Sequence, residues 1–350
     1  IAEQYEKYGG RIVAFHGWGL PVQFSGIITE HLHVRSRCGL FDCSHMGEFL
    51  IRGSIGIRIL SDLVIGDIID LPVQRCRYTA ILNENGGIID DCVALKLSAE
   101  EVLLVTNAGP LEEVSALLTK TVSGIEDISD KTAKIDVQGP YALDVLRSIG
   151  FGDAHFLKFW NGYRRTENII IARAGYSGEL GYELYVPADD ACALWRTIAE
   201  HPDVLPCGLG ARDTLRTEMG YPLNGQDVSP QRTPLEAGMN RFIAWNTPFP
   251  GKSRIVDLYE TGEYQVLVGL RSVNRRAPRP GYILSKEDCD VGVVTSGTFG
   301  PSLGIGIGLG YVPRELAVSG TEMQAGPRKQ RVIVEMPPLY KQGSGRKSVT

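Results

Sequence analysis

The run Arg77-Tyr78-Thr79-Ala80-Ile81-Leu82 leads through Asn83-Glu84-Asn85-Gly86-Gly87 into Ile88-Ile89-Asp90-Asp91-Cys92-Val93-Ala94-Leu95-Lys96. Two apolar, β-branched runs around a glycine-containing loop are a hairpin signal, so 77–96 reads as an antiparallel pair. Glu101–Thr106 reads as a third strand. Leu111–Thr119 reads as an amphipathic helix, with Leu111, Val114, Leu117 and Leu118 on one face.

Working outward, Ile27–Arg37 has helical spacing and Phe49–Arg52 reads as a strand. A second unit begins near Lys131 with strand Ala133–Val137. Gly139-Pro140 then opens a helix to Ile149, with proline in its first turn. Asn168–Arg173 and Gly181–Val186 read as strands, Ala191–Ala199 and Ala211–Glu218 as helices. In the last third, Gln265–Arg271, Asp290–Thr295, Ile305–Val312, Thr321–Gln324 and Arg331–Glu335 are short strands between Gly/Pro turns. Helical periodicity is almost missing there, which points to a small β-barrel or jelly roll. The fold class is α+β with an all-β C-terminal domain. The polar tail Lys341–Thr350 is expected to be mobile.

The 350 residues are 43% hydrophobic and 22% charged, which excludes a disordered chain, a coiled coil or a collagen-like fibre. The longest apolar runs, such as Ile169–Ala172 and Gly304–Val312, are strand-sized, so no membrane span is expected. A net charge of −5 argues against a nucleic-acid binder. From Gly251 onward the net charge is +5, against −10 before it. That asymmetry fits a local anionic partner, or a solvated basic face with none. Cys38, Cys43, Cys76, Cys92, Cys192, Cys207 and Cys289 are odd in number with no CxxC spacing, which speaks against a zinc site or a redox pair. Free thiols and no metal are expected, in a reducing compartment. The first residue is Ile1, so a missing start or a cleaved targeting peptide is allowed for.

Some residues could carry chemistry. In Asp90-Asp91, strand alternation turns one carboxylate outward and one toward the interior or a cleft, unless both are solvated turn residues. Arg173-Ala174-Gly175-Tyr176-Ser177-Gly178-Glu179 is a glycine-rich loop unlike a phosphate loop, and its Tyr176 could stack on a ring. Glu183 lies inside a strand, either on an exposed face or reading ligand donors. Arg212 sits in a helix's first turn against the dipole, serving a ligand or a salt bridge. His31 and His33 point about 200° apart on a helix and cannot share a metal. No Gly-x-Ser-x-Gly elbow is present, and Cys43 with His45 is the one thiol–imidazole neighbour pair.

Gly17-Trp18-Gly19-Leu20-Pro21-Val22-Gln23-Phe24 and Gly39-Leu40-Phe41-Asp42-Cys43-Ser44-His45-Met46-Gly47-Glu48 resemble the aminomethyltransferase family, the T-protein of the glycine cleavage system. So do Asn83 to Asp91, Thr106-Asn107-Ala108, Gln138-Gly139-Pro140, Arg173 to Glu179, Gly208-Leu209-Gly210-Ala211-Arg212-Asp213 and Thr295-Ser296-Gly297. They follow the family's order across nearly the whole chain. The resemblance implies three domains in a cloverleaf around a central folate channel. The first is discontinuous, 1–48 plus 131–243; the second is the insert 49–130; the third is the β-rich 244–350.

The resemblance makes Asp91 the catalytic carboxylate. It places Tyr78, Asn107, Tyr176, Glu183 and Arg212 in the folate pocket, with Met46 and Tyr221 at weaker pocket positions. It implies transfer of an aminomethyl group from the lipoyl arm of an H-protein to tetrahydrofolate, with release of ammonia. The setting implied is the cytoplasm, or the mitochondrial matrix in a eukaryote. Asn224 stands where many members carry tyrosine, Leu180 where aspartate is common, and Ile65-Gly66-Asp67 where many read Thr-Asn-Asp. The alternatives are a related folate-dependent demethylase and a non-catalytic folate-binding protein of iron–sulfur assembly. The latter is disfavoured because Ala174-Gly175 stands where that branch carries a cysteine.

Overall fold

The computed structural model describes residues 1–348. Antiparallel pairing starts at the hairpin: Cys76–Leu82 pairs with Ile88–Ser98, Tyr78 opposite Val93. In the turn, Asn83 Oδ1 accepts from Asn85 N at 3.0 Å and Gly87 N at 2.9 Å, and Gly86 adopts φ +78°. Such a side-chain turn with a left-handed glycine is what this composition favours. Gly87 is also required for packing, since a Cβ there would lie 1.8 Å from the Pro230 carbonyl oxygen.

That hairpin is the edge of a five-stranded sheet, continuing through Glu101–Thr106, Gly47–Arg52 and Ile125–Asp127. The helices Ser54–Leu63 and Leu111–Thr121 cover one face, burying Ile57, Leu60, Val114 and Leu118 among Phe49, Ile51 and Leu104.

A six-stranded sheet runs in the order Asn161–Thr166, Ile169–Arg173, Gly181–Pro187, Thr132–Gln138, Cys38–Asp42, Val204–Pro206. Its central strand alternates strictly. Ala133, Ile135 and Val137 enter a core with Trp195, Leu146 and Tyr182. Lys134, Asp136 and Gln138 turn to the other face yet are also buried. Period-2 alternation with polar residues buried on the second face marks a sheet with a polar interior behind it. Cys38–Asp42, from before the five-stranded sheet, pairs directly with Thr132–Gln138, from after it.

The last third forms a closed barrel of Gln265–Ser272, Ile305–Pro313, Cys289–Gly300, Ile283–Lys286, Glu322–Ala325 and Gln330–Glu335. Val268, Leu270, Val294, Val312, Val332 and Val334 fill it. Among the described residues, no helix is long and apolar enough to cross a membrane.

Several expectations are corrected. A helix, Lys252–Thr261, lies in the region read as almost free of helical periodicity; its buried Ile255 and Leu258 are too few to show from sequence. The helix expected from Gly139-Pro140 begins at Ala142, after Tyr141, so Pro140 lies ahead of its first turn. The tail expected to be mobile is docked: Ser344 N donates to Glu179 Oε2 at 2.9 Å. Residues 349–350 of that tail lie outside the described residues.

Candidate active site

A cavity of about 1450 Å³ is lined from the five-stranded sheet, the six-stranded sheet and the barrel. Met46, Tyr78, Asp91, Asn107, Tyr176, Glu183, Arg212 and Tyr221 all line it. Met46 precedes strand Gly47–Arg52, and Asn107 follows strand Glu101–Thr106. Tyr78, Asp91 and Glu183 sit within strands, and Tyr176 on the loop after Ile169–Arg173. Arg212 lies on helix Leu209–Met219, and Tyr221 just beyond the left-handed Gly220 that caps it.

One group of lining residues is built around a carboxylate. Asp91 Oδ2 accepts from the Tyr78 hydroxyl at 2.8 Å. Its Oδ1 accepts from Asn107 Nδ2 at 3.1 Å and Asn224 Nδ2 at 3.2 Å. Burial pushes Asp91 up to about 6, with the bonds from Tyr78 and Asn224 working against that rise. Such a carboxyl changes charge close to neutral pH, where proton transfer is most effective.

Asp90 does not line the cavity, and it does not face solvent either. It is fully buried, taking Asn107 N at 3.0 Å and Asn107 Nδ2 at 2.7 Å. Burial first, and then the charge of Asp91, raise it well above the usual carboxylate range. The expectation of an outward, solvated neighbour is therefore wrong. The loops carrying Asn107 and Asn224 cover the strand end, a long-range feature the hairpin sequence does not show.

A second group is a chain of buried ions. Lys134 Nζ donates to Asp136 at 2.6 Å and to Glu183 at 3.0 Å, and Arg212 donates to Asp136 at 3.0 Å. Glu183 also accepts from the Tyr185 hydroxyl at 2.7 Å. Burial opposes the charge on Lys134, but Asp136 and Glu183 hold its pKa above the usual lysine range. Burial likewise opposes the charge on Asp136, and Lys134 and Arg212 outweigh it to hold that carboxyl low. The Arg212 guanidinium lies 4.8 Å from the Tyr176 ring centroid, and Tyr176 stacks on Tyr221 at 5.8 Å. Arg212 thus has the salt bridge of one reading and the cavity position of the other.

The loop carrying Tyr221 and Asn224 is tied to the barrel. Asp227 accepts from Arg216 at 2.6 Å, Ser296 at 2.8 Å and Leu223 N at 3.0 Å. Arg216 and Asp227 are both buried, so the barrel fixes where these two cavity residues stand.

Residues 1–247 match the family model of the GCVT N-terminal domain, and residues 265–341 match the glycine cleavage T-protein C-terminal barrel domain. The chain belongs to the glycine cleavage T-protein family. An aminomethyltransferase of Halalkalibacterium halodurans is 38% identical, the match covering 98% of each chain. One of Geobacillus kaustophilus is 39% identical, over 96% of this chain and 95% of its own. The crystal structure of glycine cleavage system aminomethyltransferase T from Bartonella henselae matches with a TM-score of 0.92 at 34% identity, covering 98% of this chain and 97% of that one.

In this T-protein family member several cavity residues escape the sequence reading. Lys134 is visible as a polar residue alternating within an apolar strand, and so is its buried partner Asp136. Asn224 stands out as a departure from the family pattern, but its bond to Asp91 does not. His45 lines the cavity, 6% exposed, with Nδ1 unpartnered among the described residues. Burial lowers its pKa to about 3, so the ring is neutral. Arg346, in the tail, lines the cavity and lies 5.7 Å from the Phe159 ring. No sequence pattern places it there.

Proposed function

We propose that this T-protein family member passes a one-carbon unit from an aminomethylated lipoyl arm of an H-protein to tetrahydrofolate, releasing ammonia. The enzyme is an aminomethyltransferase, the activity by which its relatives are named. The observation that carries the reading is one cavity lined by two chemically different groups of residues. One is a tethered carboxylate near neutrality, and the other is a fixed array of ions and stacked rings. At about 1450 Å³ the cavity exceeds the ~300–1,000 Å³ usual for a small ligand, enough for a folate and the tip of a second substrate.

The ion array suits a pterin ring. Glu183 gives one lone pair each to Lys134 and Tyr185 and keeps others for adjacent ring N–H donors. Arg212 offers donors to the ring's acceptor edge, and Tyr176 with Tyr221 offers flat apolar surface. Since Lys134, Asp136 and Arg212 are already paired, the array need not reorganise on binding.

In the reaction beside Asp91, the transferred carbon loses its bonds to sulfur and to the amine nitrogen and gains two bonds to folate nitrogens. The two protons released from those nitrogens end on ammonia and on the lipoyl thiol. Positive charge develops on the carbon during the exchange, and the ionised Asp91 stabilises it electrostatically. The same carboxylate can accept a folate proton and pass it on, because its pKa is close to neutral. Tyr78, Asn107 and Asn224 fix its orientation, and holding both substrates in register supplies the rest of the acceleration.

The seven cysteines carry free thiols, which suits a reducing compartment, and we place the protein in the cytoplasm on that ground. The test of the function is direct. The protein with tetrahydrofolate and aminomethylated H-protein should yield methylene-tetrahydrofolate and ammonia in equal amounts. Turnover of a methylated amine such as sarcosine, with none of the H-protein substrate, would overturn the reading.

A further inference from the structure

Residues 341–348 leave the barrel and cross to the six-stranded sheet's loop 174–180. Ser344 donates to Glu179 from its backbone N at 2.9 Å and from its hydroxyl, which in turn accepts from Leu180 N at 2.9 Å. Gly345 N donates to Gly178 O at 3.0 Å. Arg173 Nη2 donates to Lys347 O at 2.6 Å and Gly345 O at 3.3 Å.

The receiving groups are unusual. Arg173 is 4% exposed and, among the described residues, has no carboxylate within ion-pair range. Its other bond, to Leu157 O at 3.0 Å, is also to a backbone carbonyl. Glu179 is 5% exposed and is shared between Ser344 and Arg35, whose Nη1 donates to it at 2.9 Å. Two buried ionic side chains are thus aimed at main chain and a serine of the terminal segment. The fit is tight: a Cβ on Gly343 would lie 2.4 Å from the Gly178 carbonyl oxygen.

The segment is also a wall of the cavity, lined by Gly343, Gly345 and Arg346. It contains no helix or strand, and Lys341-Gln342-Gly343-Ser344-Gly345-Arg346-Lys347-Ser348 has no apolar side chain to anchor in a core. Attachment through a few polar bonds opens at lower free energy than a packed element does.

We propose that residues 341–348 are a clasp that opens to admit the cavity's ligand and closes over it. Glu179 and Arg173 are the positioning residues that hold it shut. This rests on the reading of the cavity as a tetrahydrofolate site. In the closed state the clasp restricts escape of the folate while the lipoyl-borne group reacts, so its main effect is on dissociation rather than on chemistry.

Gly343→Val and Ser344→Ala test it, because both keep Arg346 and every side chain of the ion array. Tetrahydrofolate dissociation is measured by stopped-flow, steady-state constants by the transfer assay, and fold retention by melting temperature. Trypsin cleavage after Lys341, Arg346 and Lys347 is followed by mass spectrometry with and without tetrahydrofolate. Saturating tetrahydrofolate should slow cleavage of the native chain by roughly tenfold or more, since it favours the closed state. Gly343→Val should speed dissociation about tenfold and raise KM for folate, and Ser344→Ala, which does not line the cavity, should raise both more weakly while kcat holds. Native-like dissociation and KM in both variants, or cleavage indifferent to folate that binds, would overturn the clasp while leaving the folate site standing. Absence of calorimetric tetrahydrofolate binding to the native chain would overturn both.

Discussion

The side-chain amide of Asn107 donates to Asp91 Oδ1 across 3.1 Å. The same nitrogen reaches Asp90 Oδ1 at 2.7 Å and the Asp91 carbonyl at 2.6 Å. An amide nitrogen has two hydrogens, so three acceptors must share them. One asparagine therefore couples the two carboxyl groups, of which Asp91 lines the cavity and Asp90 is buried.

That coupling separates two substitutions that look alike. Asp90→Asn removes an acceptor from a buried site holding both the Asn107 backbone N–H and its amide. It should lower stability by about 1–3 kcal/mol, the cost of a buried donor left unpaired, measured by denaturant unfolding. Asp91→Asn, on the cavity side, should cost less. A greater stability loss in Asp91→Asn would show that Asp90 is not the structural member of the pair.

Asp91 also sets a pH dependence. Its pKa is about 6 in the fold, raised from 3.8 by burial first. The raised value favours the folded state at acid pH. This contribution is complete below about pH 4 and is lost as pH rises through about 6. Activity runs the other way if the ionised form works, so kcat should climb with pH through an acid limb near 6. Asn224 favours the ionised form by donating to it, so Asn224→Ala should move that limb to higher pH. A limb that stays in place would remove Asn224 from the account.

The ion array should govern folate affinity. Glu183→Ala and Arg212→Ala should each weaken tetrahydrofolate binding by about 1–3 kcal/mol in calorimetry, because ligand groups lose partners. Lys134→Ala should instead destabilise the fold by about 3–5 kcal/mol, since it leaves Asp136 and Glu183 short of a cation. Unchanged folate affinity in both pocket variants would place the ligand elsewhere.

An H-protein docking on the basic third of the chain would meet a narrower surface than the charge count suggests. Lys329 is paired with Asp288 at 2.7 Å, and Arg331 is paired with Glu322. Arg275 is packed 4.6 Å from the Phe299 ring, and neither it nor Arg276 or Arg279 forms an ion pair among the described residues. Charge reversal at Arg275 and Arg276 should raise KM for H-protein, more so at low salt, and leave folate affinity intact. Salt-independent rates with an unaltered KM would move docking off the barrel.

Local signals make much of this molecule legible. Asn83 to Gly87 carry their turn chemistry openly, and the short strands between Gly/Pro turns announce the barrel. Motifs name the cavity residues, and the structure brings them together. What stays hidden depends on contacts distant in sequence. Asp90 is covered by loops around residues 107 and 224, and the tail is held by Arg173 and Glu179, far from it along the chain. Helix Lys252–Thr261 escapes notice because only Ile255 and Leu258 are buried along it. The Lys134–Asp136 pair shows in the sequence only as an alternation: strand propensity finds the strand, while its polar face makes sense only against Glu183 and Arg212.

The most direct test of the central claim is turnover by Asp91→Asn with saturating tetrahydrofolate and aminomethylated H-protein, compared with Asp90→Asn. Asp91→Asn should bind tetrahydrofolate and fold as the native chain does, yet lose about two or more orders of magnitude in kcat. Asp90→Asn should lose markedly less. Equal losses in the two variants, or a greater loss in Asp90→Asn, would contradict the assignment of Asp91 as the carboxylate that faces the reacting carbon.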